Sequence, residues 1–395
     1  MIETIKKSAD RVKGDMIAFC QKIVRIPSMP GHEKECAEAC QEEMKKLGYD
    51  KVWLDGAGNV IGFVKGEEPS APKIMLNSHT DHVDPGDSAL WPYPPFSGAL
   101  VDGKIYGRAA SDTKGAFAVQ VYSIPVLLES GLRPWGDVYV TGVVEEEVGG
   151  RGMRYLLEEE KIIPDCVILG EATTNRIYLG HRGGMRIVLT FRGTSVHASA
   201  PERGANPHYA AARFLLNLEK SMGELLNDPL LGKTTIAPTL YSTDSTSGNV
   251  VPGQVRLVLD CRVTKEDEGF MRQFVEKLIG DIGLPCTIEV GRGLSSQIEN
   301  QGARRPGGFV TPKDDPFVQK AFRGVRKALD REPELGVWRF ATDGRYTAAM
   351  GIPTFGFSPC EEELTHTYDD HVKVALMEEA LSCYPLFLLR EPEQR

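Results

Sequence analysis

The chain begins with two stretches in which apolar residues recur at the spacing of an amphipathic helix, at 16–24 and 36–47. Short apolar runs typical of strands follow at 59–64, 73–78, 137–144 and 165–170, with helical patterns at about 113–130 and 151–162 between the later ones. Apolar strands that alternate with helices predict a mainly parallel sheet covered by helices on both faces. Ligands of such sheets bind at the carboxyl ends of the strands.

From about residue 178 the pattern changes to that of a smaller α+β unit. Strands are predicted at 178–193, 234–242, 254–263 and 285–291, and helices at 207–226 and 265–282. This βαββαβ order is that of a ferredoxin-like unit. After a stretch rich in Gly, Arg and Pro, a helix, a strand and a final helix resume the first pattern. We therefore predict an α/β domain, residues 1–177 and 293–395, interrupted by an insert of residues 178–292.

Composition narrows the class of protein. With 395 residues, 41% of them hydrophobic, the chain has room for two domains of about 100–200 residues each. No apolar run approaches the ~18 residues of a membrane span, and the first twenty residues lack the apolar stretch of a signal peptide, so we expect a cytoplasmic protein without membrane contact. The net charge of −9 includes no basic block, which argues against nucleic acid as a partner. Eight cysteines without a CxxC motif indicate reduced thiols.

Polar residues with ligand chemistry follow several of the apolar runs. His79 and Asp81 come at the end of the run at 73–78, where an extended chain would direct both side chains to one face. The pair suits a metal-bound imidazole beside a carboxylate, although a solvated polar turn is the simpler interpretation of two such residues alone. Asp112 precedes a strong helical pattern, so a helix N-cap is the simpler interpretation of that residue.

Three adjacent carboxylates, Glu145, Glu146 and Glu147, follow the run at 137–144. They repel one another, so a solvated acidic turn and a cation site both fit. Glu171 directly follows the run at 165–170, and His366 lies in a polar loop. Strand ends on one side of a parallel sheet converge, and two imidazoles with several carboxylates suit one or two divalent metals such as zinc. A binuclear metal-dependent hydrolase is therefore the leading hypothesis.

Five segments of the chain also resemble a known family. HTD, GRAASDTKG, EEEVGG, GEAT and THTYDD occur in the order and context of the M20 metallopeptidase and deacylase family, which includes acetylornithine deacetylase, succinyl-diaminopimelate desuccinylase, carboxypeptidase G2-like enzymes and dinuclear dipeptidases. The resemblance covers nearly the whole chain. It implies a three-layer, zinc-exopeptidase-like catalytic domain with an inserted ferredoxin-like lid and dimerisation domain. A weaker similarity is to the M20 hydrolases linked to selenium metabolism.

The resemblance implies that the polar residues hold two divalent metal ions, Zn2+ in the first place, with Co2+ or Mn2+ as alternatives. The implied ligands are Asp112 as the bridge, His79 and Glu171 at one metal, and Glu147 and His366 at the other. Asp81 would orient a metal-bound histidine. Two metals ~3.5–4 Å apart would hold a bridging water, lower its pKa and polarise the scissile carbonyl. Glu146, as general base, would take the proton of that water and return it to the leaving amine.

The resemblance extends to the insert and implies a homodimer formed through it. GTSVHASAPERGANP resembles the lid motif of the family, in which His197 would stabilise the oxyanion, often at the active site of a partner subunit. A locally bonded loop histidine is the alternative. Asn249 and Arg262 match lid residues that bind polar groups or carboxylates of the substrate, although a surface salt bridge also fits Arg262. Arg345, in ATDGR, stands where the family commonly holds a substrate carboxylate.

Three positions depart from the common pattern of the family. Glu145 stands where an Asp often precedes the base, Ala172 replaces a frequent Pro, and Asp370 occupies a place where Glu is common. None of these removes a ligand, but they leave the subfamily open. His82 and His371 receive no role in the scheme.

The sequence thus predicts an amidohydrolase that acts on a small N-acyl amino acid or peptide. A dipeptidase, a carboxypeptidase and an N-carbamoyl amidohydrolase of the same family are alternatives. A catalytically silent homologue that binds a ligand or partner through its lid is the alternative from another class, and the presence of Glu146 beside Glu147 argues against it. A nucleotide-binding protein is disfavoured because GHRGG lacks the Rossmann glycine spacing and no P-loop is present.

Overall fold

Apolar residues at helical and strand spacing become the buried faces of the observed elements in the computed structural model, which describes residues 1–280, 282–292 and 307–391. The α-helices are α1 (Ile2–Val24), α2 (Lys34–Lys46), α3 (Gly115–Glu129), α4 (Arg151–Glu158), α5 (Pro207–Ser221), α6 (Glu268–Ile279), α7 (Pro316–Leu329), α8 (Gly344–Ala349) and α9 (Val374–Leu388). The strands are β1 (Lys51–Leu54), β2 (Val60–Val64), β3 (Ile74–His79), β4 (Ala99–Val101), β5 (Lys104–Tyr106), β6 (Val138–Val143), β7 (Cys166–Leu169), β8 (Ile177–His181), β9 (Gly183–Arg192), β10 (Val196–His197), β11 (Asn227–Asp228), β12 (Gly232–Lys233), β13 (Thr235–Thr243), β14 (Val250–Val251), β15 (Gln254–Val263), β16 (Cys286–Arg292), β17 (Phe309–Val310), β18 (Leu335–Trp338), β19 (Thr354–Gly356) and β20 (His371–Lys373).

The chain divides into two compact units. The first contains residues 1–180, 310–338 and 342–395, and the second contains residues 181–309 and 339–341. The first division lies close to the predicted boundary after residue 177. The second predicted boundary, before residue 293, falls at the edge of a segment outside the described residues.

The first unit is built on a sheet with the strand order β1-β2-β6-β3-β7-β19-β8-β17, and β18 pairs with β8. The α/β class is confirmed. The four central strands, β6, β3, β7 and β19, are parallel, as expected. The flanking pairs β1 with β2, β2 with β6, and β19 with β8 are antiparallel, so the parallel part of the sheet is confined to its centre.

The helices of the first unit cover this sheet. α3 contacts β3 and packs between α1 and α9. It is buried from Gly115 to Leu127, which is typical of a helix that is apolar on every side and lies inside the core. α1 buries a single stripe that includes Ile5, Met16 and Ile23. The centre of the sheet is therefore rigidly packed, and its strand ends are fixed in position.

The second unit has the predicted βαββαβ order in β9, α5, β13, β15, α6 and β16. Its sheet has the order β13-β15-β9-β16, and each neighbouring pair is antiparallel. Side chains from α5, α6 and one face of the sheet form its core. α5 begins where the side chain of Asn206 accepts from the N–H of His208, and α6 where Asp267 accepts from the N–H of Phe270.

Candidate metal centre

Three neighbouring strands of the first unit end beside one another in polar residues. β3 ends at His79 and pairs in parallel with both β6 and β7. The carboxylates of 145–147 follow β6, and Glu171 follows β7. Because parallel strands end at the same edge of a sheet, the fold brings together residues that are far apart in sequence.

Asp112 reaches this edge from a tight turn, 110–114, that precedes α3. Its two carboxylate oxygens face different histidines. Oδ1 lies 3.4 Å from Nε2 of His79, and Oδ2 lies 3.0 Å from Nε2 of His366. One oxygen directed to each side is the arrangement of a bridging ligand. The helix-cap interpretation of Asp112 is wrong, because Lys114 is the N-cap of α3 and the helix has no side-chain cap.

The neighbours of Asp112 fix this turn. The hydroxyl of Thr113 accepts from the N–H of His79 at 3.1 Å and contacts the carbonyl of the same residue at 3.2 Å. Lys114 is fully buried, and its ammonium donates to the carbonyls of Ile23 and Ile26 at 2.9 and 2.7 Å. These carbonyls lie at the end of α1, where main-chain acceptors lack partners within the helix. The turn is thereby tied to both β3 and α1.

Two glutamates complete the cluster. Oε1 of Glu147 lies 3.0 Å from Nε2 of His366, and Oε1 of Glu171 lies 4.0 Å from Nε2 of His79. The ligand atoms of two sets of three residues lie within 4.8 Å of one another: His79 with Asp112 and Glu147, and His79 with Glu146 and Glu171. The structure thus gathers the five expected ligands and the expected base at one place. Imidazole nitrogens with carboxylates form a donor set that fits zinc and similar divalent ions.

Burial and mutual repulsion oppose the negative charge of the glutamates. Burial, together with Asp343 and Glu171, raises the pKa of Glu146 well above its ordinary value. Burial, with the charge of Asp112 nearby, raises the pKa of Glu171 to about 8. Burial also raises the pKa of Glu147. A divalent cation would offset this repulsion and favour the ionised carboxylates.

The pKa values of the two histidines are raised as well, which favours their charged form. Hydrogen bonds to Asp112 and Glu147 raise the pKa of His366 to about 10. Burial disfavours the His79 imidazolium, but Asp112 and Asp81 outweigh it and raise the pKa of His79 well above its usual value. Burial opposes the ionisation of Asp112, yet the hydrogen bonds to both histidines hold its pKa low. The positive charge of the protonated imidazoles therefore offsets the negative charge of the carboxylates. A divalent ion that binds here would displace the imidazole protons.

Asp81 holds the turn that carries the proposed base. Its buried carboxylate accepts hydrogen bonds from the main-chain N–H groups of Glu146 and Glu147, both at 3.1 Å. Its Oδ1 also lies 3.4 Å from Nδ1 of His79, whereas the nearer partner of that nitrogen is the main-chain carbonyl of Asp81 at 3.0 Å. Asp81 thus contacts the histidine as expected. The sequence did not indicate that it also accepts hydrogen bonds from the main-chain N–H groups of the two glutamates.

Two further acidic residues support the cluster from a distance in sequence. Glu33, just before α2, accepts a hydrogen bond from the N–H of Glu145 at 3.1 Å. Asp370 is fully buried and accepts from the N–H groups of Ala109 and Ser111 at 2.8 and 2.9 Å. Because Ser111 precedes the expected ligand Asp112 in the chain and Asp370 follows His366 by four residues, this carboxylate ties together the two segments that carry these expected ligands. Sequence reasoning missed both supports, since neither has a local signal.

The second unit contains three of the expected oxyanion and substrate residues. His197 is exposed, and its Nδ1 lies 2.7 Å from the hydroxyl of Ser199, as in the local alternative. Nε of Arg262 lies 2.9 Å from Oδ1 of Asp260, as in the salt-bridge alternative. Asn249 is exposed, and its carbonyl accepts from the N–H of Ala198 at 2.9 Å. Their roles toward a substrate stay predictions.

The first unit contains the expected carboxylate-binding residue Arg345 and the two histidines to which no role was given, His82 and His371. Burial disfavours the charge of Arg345, but Tyr346 and the carboxylates of Glu146 and Asp343 nearby raise its pKa. His82 accepts from the N–H of Ser28 at 2.8 Å. Burial lowers the pKa of His82 to about 4, so it remains neutral. His371 packs on the ring of Tyr106 with centroids 5.0 Å apart. The contacts of His82 and His371 are those of residues that support the fold.

The fold and the cluster together define a candidate metal-dependent hydrolase, and comparisons with known proteins agree. The profile of peptidase family M20/M25/M40 matches residues 75–390. The uncharacterized protein YgeY of Escherichia coli K12 is 30% identical over 377 residues, which cover 92% of this chain and 91% of that protein.

Solved structures show the same fold. Aminopeptidase PepT from Bacillus cereus has a TM-score of 0.76 at 21% identity, covering 95% of this chain and 98% of that chain. YxeP from Bacillus subtilis, described as a dinuclear metal-binding peptidase, has a TM-score of 0.71 at 15% identity over 96% and 98% of the two chains. The chain belongs to peptidase family M20/M25/M40. It is a hydrolase that acts on amide or peptide bonds.

No helix in the described ranges is both long and apolar enough to cross a membrane.

Proposed function

We propose that the protein cleaves an amide bond of a small N-acyl amino acid or peptide with two divalent ions, Zn2+ in the first place and Co2+ or Mn2+ as alternatives. Asp112 would bridge the ions. His79 and Glu171 would complete one site, and Glu147 and His366 the other. The observation that carries this proposal is the carboxylate of Asp112, whose two oxygens face the two histidines at 3.4 and 3.0 Å.

Glu146 is the proposed general base. When bound, the ions would polarise the scissile carbonyl and lower the pKa of the attacking water. Glu146 would accept the proton of that water and pass it to the leaving amine. Two observations support this role: its main chain is held by Asp81, and its carboxylate oxygen lies within 4.8 Å of the ligand atoms of His79 and Glu171. His197 would stabilise the oxyanion, and Arg345, with Asn249 and Arg262, would bind the substrate.

The alternatives within the family are a dipeptidase, a carboxypeptidase and an N-carbamoyl amidohydrolase. The similarity to the M20 hydrolases linked to selenium metabolism stays a prediction. A catalytically silent homologue is disfavoured because Glu146 lies with His79 and Glu171 in one cluster. A cytoplasmic location is supported by the eight cysteines, all free and seven of them buried.

Removal of metal is expected to abolish hydrolysis. Purified protein should contain up to two divalent ions per chain, and chelation should remove both the metal and the activity, because the chemistry depends on charge that the side chains alone do not supply. Elemental analysis gives the stoichiometry. A panel of N-acetyl, N-succinyl and N-carbamoyl amino acids and dipeptides, assayed with zinc, cobalt and manganese, identifies the substrate. Full activity in verified metal-free protein would contradict the mechanism.

We also propose that the second unit forms a homodimer with a second copy of the chain. β13 is an edge strand of its sheet, and Leu240 and Tyr241 on it are 63% and 48% exposed. An open groove of about 640 Å³ between β13 and α5 has apolar walls that include Leu216 and Met222. Exposed edge strands pair readily with another chain, and a two-fold axis would bring two identical β13 edges together.

Mixed dimers test whether His197 acts across that interface. Chains carrying His197→Ala and chains carrying Glu146→Gln are each expected to be inactive. A dimer of one chain of each kind should recover activity at one of its two sites, because the His197→Ala chain keeps its base and receives the histidine of its partner. Differently tagged chains allow the mixed dimer to be isolated and assayed. Mixed dimers between wild type and a chain with both substitutions are the control, and failure of proven mixed dimers would exclude action in trans.

A further inference from the structure

Tyr346 contacts both the turn that follows the proposed base Glu146 and the proposed carboxylate-binding residue Arg345. Its hydroxyl donates to the carbonyl of Gly149 at 2.6 Å. Its ring lies beside the guanidinium of Arg345, whose Cζ is 4.9 Å from the ring centroid. Tyr346 is only 7% exposed, so its hydroxyl depends on a partner within the protein.

Gly149 belongs to the turn that carries the proposed base. The N–H of Gly149 donates to the carbonyl of Glu146 at 3.0 Å and closes the turn. Gly149 is thus bonded to Glu146 through its N–H and to Tyr346 through its carbonyl. Asp81 holds the beginning of the same turn through the N–H of Glu146. Tyr346 holds its other end.

The next residue, Gly150, brings the main chain of the turn directly against the segment of Tyr346. Its φ is +70°, and a Cβ at this position would lie 2.2 Å from Oδ1 of Asp343 and 2.5 Å from a ring carbon of Tyr346. No side chain therefore fits between the turn and residues 343–346. In a close-packed region of this kind, a displacement of one segment displaces the other.

Arg345 leaves part of its hydrogen-bonding capacity unused. Its Nε is buried and has no hydrogen-bond partner among the described residues, and neither do the two carboxylate oxygens of Asp343. The guanidinium is therefore not tied to the carboxylate two residues before it. The side chain of Tyr346 orients it instead, through its ring and a side-chain hydrogen bond, so the guanidinium is held beside the turn without a carboxylate partner among the described residues.

We infer that Tyr346 is a positioning residue that couples recognition of a substrate carboxylate at Arg345 to the placement of Glu146. A carboxylate bound by Arg345 would fix the guanidinium against the ring, and the hydroxyl of the same ring holds the turn of the base. Substrates with a free carboxylate would then gain in turnover as well as in binding. The inference rests on the proposed function, since it uses Glu146 as the base and Arg345 as the carboxylate site.

Two substitutions at Tyr346 separate the hydroxyl from the ring. The assay uses the best substrate of the panel that carries a free carboxylate, together with its primary amide. Tyr346→Phe keeps the ring, so kcat for the carboxylate substrate should fall about tenfold, the scale of one lost hydrogen bond, while KM should rise less than in Tyr346→Leu. Tyr346→Leu also loses the ring, so KM for the carboxylate substrate should rise about tenfold, the scale of a lost cation–π contact, while KM for the amide is unchanged.

Tyr49→Phe is the matched control. Tyr49 is 8% exposed and its hydroxyl donates to the carbonyl of Val121 at 2.8 Å. Removal of this hydroxyl therefore removes a buried hydrogen bond similar to that of Tyr346, but at a distance from the turn of the base. It should leave kcat and KM unchanged, and all three variants should keep wild-type metal content.

The outcomes are distinct. A wild type that hydrolyses no member of the panel overturns the proposed function and the coupling with it. An active wild type whose Tyr346→Phe variant keeps its kcat, loses metal, or changes no more than Tyr49→Phe overturns the coupling alone. A Tyr346→Leu variant whose KM rises equally for the carboxylate and the amide also overturns it.

Discussion

Replacement of Asp112 by alanine is expected to lower affinity for both metal ions and to remove hydrolysis with them. Each oxygen of this carboxylate faces one histidine of the cluster, at 3.4 and 3.0 Å, so a single substitution removes a ligand from both positions. With less metal bound, the repulsion among Glu146, Glu147 and Glu171 would also no longer be offset by a cation. Loss of an outer hydrogen-bond partner of a metal ligand already costs about 10–100-fold in metal affinity, so loss of a bridging ligand should cost at least ~100-fold.

Competition with a metal indicator measures this affinity at each step of a titration. Asp112→Asn keeps the shape of the side chain and one oxygen, so it should fall between alanine and wild type. Asp87→Ala is a suitable control, because Asp87 is exposed and its Oδ1 accepts only a local bond from the N–H of Ala89, at 2.9 Å. An Asp112→Ala variant that binds two ions with wild-type affinity would remove the bridge from the scheme.

Much of the fold was predictable because its signals are local. Apolar spacing predicted the last part of α1, at 16–24, although the helix begins at Ile2. It also predicted α3 and the strands β3, β6 and β7, and the order of elements predicted the ferredoxin-like arrangement of the second unit. Strand direction is not visible in periodicity, so the antiparallel pairing of β2 with β6 was missed. The sheet of β4, β5 and β20 was missed as well, because each strand has three residues and β20 lies far from the other two in sequence.

The site was predictable only in part. His79, Glu147 and Glu171 follow apolar strands, and strand ends of a parallel sheet meet, so their proximity has a physical basis in the sequence. That Asp112 faces His366 depends on the loop after β19, and before the structure it rested on the family resemblance. The supports from Glu33, Asp370 and Tyr346 join segments far apart in the chain, and no spacing or composition indicates them.

The roles of single side chains in the second unit could not be predicted from the residues around them. His197 and Arg262 have the local partners, Ser199 and Asp260, that ordinary loop and strand chemistry predicts. A residue of this kind can still act on a substrate, but its surroundings in the chain do not distinguish that role from a local one. The cluster of the first unit differs because several carboxylates are buried close together, and their like charges repel one another unless imidazole protons or a metal cation offset them.

Substitution of Glu146 by glutamine is expected to separate catalysis from metal binding. Glutamine has the same shape, and the hydrogen bond from its main-chain N–H to Asp81, 3.1 Å long in the wild type, is retained, so the turn and the proposed ligand Glu147 should keep their positions. The amide cannot take a proton from water. Since a positioned general base contributes about 10²–10⁴-fold, kcat should fall by that factor while metal content and KM stay near wild type.

Glu145→Gln is the matched control for that loss. Glu145 is the adjacent carboxylate of the same acidic run, and it forms an ion pair with Arg151 at 2.9 Å, with its side chain 25% exposed. Its neutralisation removes the same charge from the same turn, so a general electrostatic effect of the run would slow both variants equally. Proton transfer by Glu146 instead requires that only Glu146→Gln loses turnover. A Glu146→Gln enzyme with a near-normal rate would leave the reaction without its assigned base, and an equal loss in both variants would assign the effect to the charge of the turn.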